Sequence, residues 1–511
     1  MRDVCGYEEK DPAIVAQLTS GYPRFVVHPF AKKLAAHFVA TTPALAAAPD
    51  HGRAAHTLWL VTSARMAHAL SAHLGGTGVS PVVFARDGFH GVAHAESPEI
   101  FARAKVFLQN RGGFVSSRAA EDGLVRAGLL AAPYAEEVFP SASAASASFI
   151  ASDPAAEIRR HLRTALNATR PAADPRACTD ADLLLAPCGM GAIWAAFRAA
   201  ADLQAARGRT VWLQLGWLYL DTIALLKKFT AAPADYVYIR DVLDLAGLAR
   251  LFAKFGPRLA GVIAEVPTNP LIQTPDLPAL AALCRRHGAL LFVDPSVVSV
   301  FNVDVLPHCD AVLSSLTKYT ASAGDLTAGL VALNPAAPDA AELRHRIAAE
   351  LEPVNARDLA RLAWQIGRTA AVLEKIHAST ARVAAFLAAH PAIAEVHWAL
   401  ATPSRENYLR LARAPDATGG MITFTLKKLG ALADFYDRLR LPKGPSFGMT
   451  TTLICPFMYL AHYDLVTTPA GLAELAASKL DPDLLRLCIG TEPPDEIIAA
   501  LAEALGACAS N

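Results

Sequence analysis

An aspartate closing an apolar run, and a lysine set between hydroxyls 24 residues later, are the residues best suited to chemistry in this 511-residue chain. Leu290-Leu291-Phe292-Val293-Asp294 reads as a buried strand that delivers a carboxylate to the carboxyl edge of a sheet. A second apolar run over 311–314 ends just before Ser315-Leu316-Thr317-Lys318-Tyr319. This set suits pyridoxal phosphate (PLP). Lys318 would form the Schiff base with the cofactor aldehyde. Asp294 would keep the pyridine nitrogen protonated, which makes the ring an electron sink. Ser315 and Thr317 would donate hydrogen bonds to the phosphate. Taken alone, the block reads equally well as a helix-capping aspartate and a solvated loop lysine.

A second feature bears on the same chemistry. Ala186-Pro187-Cys188-Gly189-Met190-Gly191 lies between a predicted strand and a predicted helix. Its glycines let backbone N–H groups of Gly189 and Met190 approach a phosphate, and the helix start offers its positive dipole end to an anion. A tight turn without a ligand has the same pattern.

With these residues in place, the chain resembles the Cys/Met-metabolism family of PLP-dependent enzymes. The resemblance rests on Val266-Pro267-Thr268-Asn269-Pro270-Leu271, Val293-Asp294 and Ser315-Leu316-Thr317-Lys318-Tyr319, in that order and spacing. Gly444-Pro445-Ser446-Phe447-Gly448, Ala461-His462 and Arg486-Leu487-Cys488-Ile489-Gly490 extend it over roughly the last 330 residues. Gly21-Tyr22-Pro23-Arg24-Phe25-Val26 and Gly113-Phe114-Val115-Ser116-Ser117-Arg118 resemble the large, fungal-type cystathionine γ-synthase branch, which carries an extra N-terminal region. The resemblance implies an aspartate-aminotransferase-like α/β fold (fold type I). It implies a homodimer or homotetramer, and γ-replacement on an O-acylhomoserine by cysteine to form cystathionine.

Further roles follow from the resemblance. Tyr219 would stack on the cofactor ring and assist proton transfer, although Leu220 and Asp221 replace the two glycines that usually follow it. Asn269 would bond the ring hydroxyl. Arg486 would pair with the substrate carboxylate, because a guanidinium matches two oxygens, and Ser446 would support it. His462 is expected to be structural or to line a channel. The family's tyrosine–x–arginine phosphate contact has no counterpart; residues 135–140 carry no arginine, and Arg24 and Arg118 are the candidate substitutes. A cystathionine lyase and a sulfhydrylase share these motifs. A non-catalytic PLP-fold binding module is the reading from another class, and the intact Asp294, Lys318 and Arg486 argue against it.

The elements that must position these residues alternate. Strands over 182–186, 210–214, 236–239, 261–266, 290–293 and 311–314 are separated mainly by helical segments, which predicts a mostly parallel sheet covered on both faces. Ligands on such sheets sit at the strands' carboxyl ends. Residues 1–150 are expected to form a small α/β extension, with a strand over 57–62, a helix over 64–74 and a strand over 81–85. The serine- and alanine-rich stretch 141–149 is the expected boundary. The large domain should span 151–355, and an α+β domain 356–511, beginning with a helical stretch to 389.

Composition limits the alternatives. Lys+Arg 47 against Asp+Glu 47 gives no basic excess for nucleic acid. No run reaches the ~18 apolar residues that span a bilayer. The first ten residues lack the apolar core of a signal peptide. Eight scattered cysteines show no zinc-site spacing, so free thiols in a reducing cytoplasm are expected.

Overall fold

A computed structural model describes residues 1–17, 27–45, 56–76, 80–134, 136, 153–170, 174 and 176–509. The expected boundary at 141–149, and the 21–26 motif with Arg24, lie outside these residues.

The N-terminal unit is built on a three-stranded sheet: β1 (His56–Val61), β2 (Val82–Arg86) and β3 (Phe89–Ala95), ordered β1-β3-β2. Both pairings are antiparallel, so the unit is not a parallel α/β layer. β3, unseen in the sequence, follows β2 after a tight Asp87-Gly88 turn in which both residues have positive φ. Helices Pro29–Thr41, Ala64–Gly75, Pro98–Arg111 and Ser117–Arg126 pack around the sheet.

The large sheet contains β4 (Leu183–Ala186), β5 (Val211–Leu215), β6 (Tyr236–Ile239), β7 (Leu259–Glu265), β8 (Leu290–Asp294), β9 (Ala311–Ser315) and β10 (Gly329–Leu333). Their order is β4-β10-β9-β8-β7-β5-β6, and only β10 runs antiparallel to its neighbours. β5, β7, β8 and β10 are buried along their whole length, as apolar strands covered on both faces must be. One covering layer centres on the helix Gly189–Ala205, whose alanines allow close approach to the sheet. Phe197 meets Trp212 edge-on there, at 5.1 Å between ring centroids.

The predicted helical stretch after 355 is two helices, Ala356–Ile366 and Thr369–Ala389, separated at Gly367 and Arg368. The C-terminal sheet follows with β11 (Ile393–His397), β12 (Met421–Leu426), β13 (Leu453–Pro456) and β14 (Leu485–Cys488). It is antiparallel and ordered β11-β12-β14-β13, with the helix Pro494–Ala509 closing the domain.

Residues 2–15 do not belong to the N-terminal unit. The helix Arg2–Glu8 lies against the helix Phe457–Ala461, and the Met1 amine donates to Asp437. No helix among the described residues is long and apolar enough to cross a membrane.

Buried charge fastens the N-terminal unit to the large domain. Arg118 bonds Glu136 at 2.7 Å, Asp325 at 3.1 Å and Asp358 at 3.2 Å. It is therefore a structural cation rather than a substitute phosphate ligand. Arg357 reaches back to Asp122 at 2.6 Å and Glu121 at 2.9 Å. Removing Arg118 takes that cation from the buried Asp358 carboxyl, while Arg361 still bonds Asp325 at 2.8 Å. Arg118→Ala is therefore expected to lower the urea midpoint strongly, with early proteolytic cleavage between the N-terminal unit and the large domain. An unchanged midpoint would contradict this role.

Candidate active site

The carboxyl ends of β4, β5, β7, β8 and β9 converge on one cavity of about 440 Å³, a volume suited to a cofactor-sized ligand. Gly329 makes the convergence possible. It pairs with Ala186 on one side and Ser315 on the other. A Cβ on Gly329 would stand 2.3 Å from the Cys188 carbonyl oxygen, so only glycine lets the 187–189 turn lie across β10. A Cβ on Gly189 would likewise meet the Ser315 side chain at 2.9 Å. The helix start at Gly189 is thereby pressed onto Ser315.

Of the residues singled out from sequence, Lys318, Asp294, Gly189, Met190, Asn269, Ser315, Tyr219 and Arg486 line this cavity. Lys318 is 4% exposed, and its Nζ donates to Ser446 Oγ at 2.9 Å. Ser446 thus contacts the lysine directly. The lysine's backbone is held by Tyr319, whose φ of 54° lies in the left-handed region. Tyr319 donates from its N–H to Gly448 O at 2.8 Å and from its O–H to Val297 O at 2.8 Å. Its oxygen also accepts from Gly420 N at 2.9 Å, so the C-terminal domain clamps the lysine loop.

Thr317 does not line the cavity. Its hydroxyl lies 3.3 Å from the Ala328 carbonyl, to which it donates, and accepts from the Ala328 N–H at 3.1 Å. In this arrangement the hydroxyl braces the loop. His462 lines the cavity and accepts from the Trp217 indole N–H at 3.0 Å. Burial, then Lys227 and Arg486, push its pKa down to about 4, so the imidazole is neutral.

Asp294 accepts from the Ser296 N–H at 2.8 Å. In register beside it on β7 is Glu265, which the sequence reading passed over. Burial foremost, and Asp294 next, hold the Glu265 carboxyl well above its ordinary range. It accepts from the Tyr219 N–H, which fixes the turn carrying that phenol. The signal for Glu265 was available: it also closes an apolar strand. Arg486, on β14, is 4% exposed and donates to Asn269 Oδ1 at 3.2 Å and to the Pro445 carbonyl. Its guanidinium carbon stands 4.6 Å from the Phe457 ring centroid. Phe447 lies 4.8 Å from the Lys318 ammonium. Neither ring has a local sequence signal for this placement, which depends on the C-terminal domain packing over the sheet edge. Tyr7 and Glu8 reach the cavity from the first helix, a contact across the chain that no local pattern announces.

The residues fit PLP on two counts. Ser315 Oγ is buried and has no hydrogen-bond partner among the described residues. It lies beside the start of a 17-residue helix whose first N–H groups have no intrahelical acceptor, which together form a seat for a phosphate. Among the described residues Arg486 Nε also has no hydrogen-bond partner, so the guanidinium retains capacity for an anion. A fold-type-I sheet with a buried lysine and aspartate at its carboxyl edge defines a PLP-dependent enzyme.

The comparisons agree and place the chain in a family. The profile described as Cys/Met metabolism PLP-dependent enzyme matches residues 178–506. The chain is 37% identical over 505 residues to an L-2-amino-4-chloropent-4-enoate dechlorinase/desaturase of Streptantibioticus cattleyicolor, covering 99% of this chain and 94% of that protein. It is 29% identical to the cystathionine gamma-synthase of Neurospora crassa over 327 residues, covering 63% of this chain and 52% of that one. Among solved structures, the cystathionine gamma synthase of Xanthomonas oryzae pv. oryzae superposes with a TM-score of 0.57 at 23% identity, covering 74% and 91% of the two chains. This chain belongs to the Cys/Met-metabolism PLP-dependent enzymes.

The buried carboxyl pair makes a testable prediction for the cofactor-free protein. A carboxyl whose folded pKa is raised binds more protons in the native state than in the unfolded one, so stability falls as pH rises above the ordinary carboxyl range. Glu265→Gln removes that fall. The gap in urea midpoint between the variant and the parent should therefore shift in the variant's favour from pH 5 to pH 8. A gap independent of pH would show that Glu265 titrates normally.

Proposed function

We propose that the enzyme removes a γ-leaving group from an L-α-amino acid, with L-2-amino-4-chloropent-4-enoate as the substrate. The net change is loss of HCl: the C–Cl bond breaks, a proton leaves, and an unsaturation is gained. The observation that carries this reading is the extent of likeness to the dechlorinase/desaturase, which runs through the N-terminal unit as well as the PLP domains. The Neurospora synthase matches 63% of the chain. The cavity agrees in character. Ile193, Leu220, Val297, Phe457 and Leu460 give it apolar walls suited to a short chloroalkenyl side chain.

Bound PLP supplies the electron withdrawal that acidifies the substrate's Cα–H. The chain's residues do the rest. Lys318 carries the cofactor and, once its amine is free, takes the α-proton; Ser446 orients that amine. Asp294 holds a proton on the ring nitrogen. Gly189, Met190 and Ser315, all on the cavity wall, would seat the phosphate, and Asn269 would bond the ring hydroxyl. Arg486 binds the substrate carboxylate and is itself aimed by Asn269 and Pro445. Tyr219, on the cavity wall, would flank the ring. Chloride is a stable anion and departs without a proton.

The second reading is γ-replacement that forms cystathionine from an O-acylhomoserine and cysteine. It is favoured by the synthase-like motifs around Lys318 and Arg486 and by the Neurospora relative. The two readings share the cofactor site and differ in products.

The test is to give the purified holoenzyme each substrate set and follow chloride release and products by mass spectrometry. Chloride release from the chloroalkenoate, absent in Lys318→Ala, supports the proposal. Cystathionine formation without chloride release transfers the assignment to the synthase. Arg486→Lys keeps the charge but loses the planar two-oxygen fork, so KM should rise about ten-fold or more with a smaller change in kcat. An unchanged KM would remove Arg486 from carboxylate binding.

A further inference from the structure

Asp221 stands where the family resemblance expects glycine, in the first turn of the helix Leu220–Phe229. Its side chain is buried, with the residue 4% exposed. The Tyr219 O–H donates to its Oδ2 at 2.8 Å. Gln109 Nε2 lies 3.2 Å from each of its carboxylate oxygens. Gln109 belongs to the helix Pro98–Arg111 of the N-terminal unit. In the next residue, Asn110 Oδ1 accepts from Lys228 Nζ at 3.4 Å, a second link to the helix that carries Asp221. A cavity-lining phenol is thus joined through one buried carboxylate to a unit outside the PLP domains.

We propose that Asp221 is a positioning residue for Tyr219. It holds the phenol protonated and in one orientation at the cavity wall, and Gln109 ties that setting to the N-terminal unit. The proposal rests on Tyr219 acting in the PLP site but is independent of which leaving group departs. Ionising the phenol would place two anions within hydrogen-bond distance, which disfavours phenolate. A phenol is a far weaker acid than a carboxyl, so in this pair the phenol is the donor and the carboxylate the acceptor. Lys105 on the N-terminal unit's helix and Lys228 on Asp221's own helix both act on Asp221 as cations. From β7, Glu265 accepts the Tyr219 N–H; Asp294 and Lys318 face the same cavity, and Glu8 enters it from the first helix. A glycine at 221 would provide no side-chain acceptor for the phenol.

The test is a pH titration of phenolate absorbance in the holoenzyme, with Tyr219→Phe subtracted to isolate one tyrosine, alongside the kcat–pH profile. Asp221→Asn is expected to lower the Tyr219 ionisation midpoint by about one pH unit or more. The alkaline limb of kcat should move with it, and this movement should vanish in the Tyr219→Phe background. Gln109→Leu should disturb the same midpoint without touching the cavity. An unchanged midpoint in Asp221→Asn, or an equal kcat loss with and without Tyr219, would overturn the proposal. If the parent does not release chloride, the absorbance titration still decides it, so this failure is distinct from failure of the substrate assignment.

Discussion

Four ionisable side chains, Glu265, Asp294, Lys318 and Arg486, share one cavity and are each less than a tenth exposed. Charge is costly to bury unless it is paired, bonded or neutralised. The surrounding structure supplies all three. Lys318 is bonded to Ser446, and Arg486 to Asn269 and Pro445. Asp294 takes a backbone N–H, and burial holds the Glu265 carboxyl well above its ordinary range, which favours its neutral form. Ser315 Oγ and Arg486 Nε, without partners among the described residues, mark where an anionic ligand would complete the set.

That requirement explains why three separate parts of the chain meet here. The parallel sheet aligns the carboxyl ends of β7, β8 and β9, so acid, acid and hydroxyl arrive at the same level. The C-terminal sheet delivers Arg486, and its Gly420 and the Gly448 loop fix Tyr319 beside the lysine. The N-terminal unit contributes indirectly. Its Gln109 bonds Asp221 on the helix Leu220–Phe229, which starts at the cavity, while Arg118 with Asp358, and Asp122 with Arg357, join it to the helix Ala356–Ile366; the PLP domains line most of the site.

Much of this was legible in the sequence because strand ends carry chemistry in parallel sheets. Asp294, Ser315 and the lysine loop follow from apolar runs and their spacing, and the glycine turn follows from a strand–helix junction. Glu265 obeys the same rule, closing β7 in register with Asp294, but an acidic residue directly before the Val266-Pro267 step also reads as an ordinary strand end. The pairing of the Thr317 hydroxyl with Ala328 was not legible, because it depends on how β10 returns beside the lysine loop. β10 was not anticipated: Gly329–Leu333 is a short apolar run without alternation, so periodicity says nothing of its direction. The approach of Tyr7, Phe447 and Phe457 depends on tertiary packing over long sequence separations. The antiparallel pairing of β1 and β3 depends on register that local composition does not encode.

The central claim is that Lys318, and no other lysine, carries the cofactor. Borohydride reduction of the PLP-loaded protein, followed by digestion and mass spectrometry, tests this directly. The account predicts the pyridoxyl label on the peptide containing Lys318. Labelling of Lys443, which also lines the cavity, with Lys318 unmodified would contradict it.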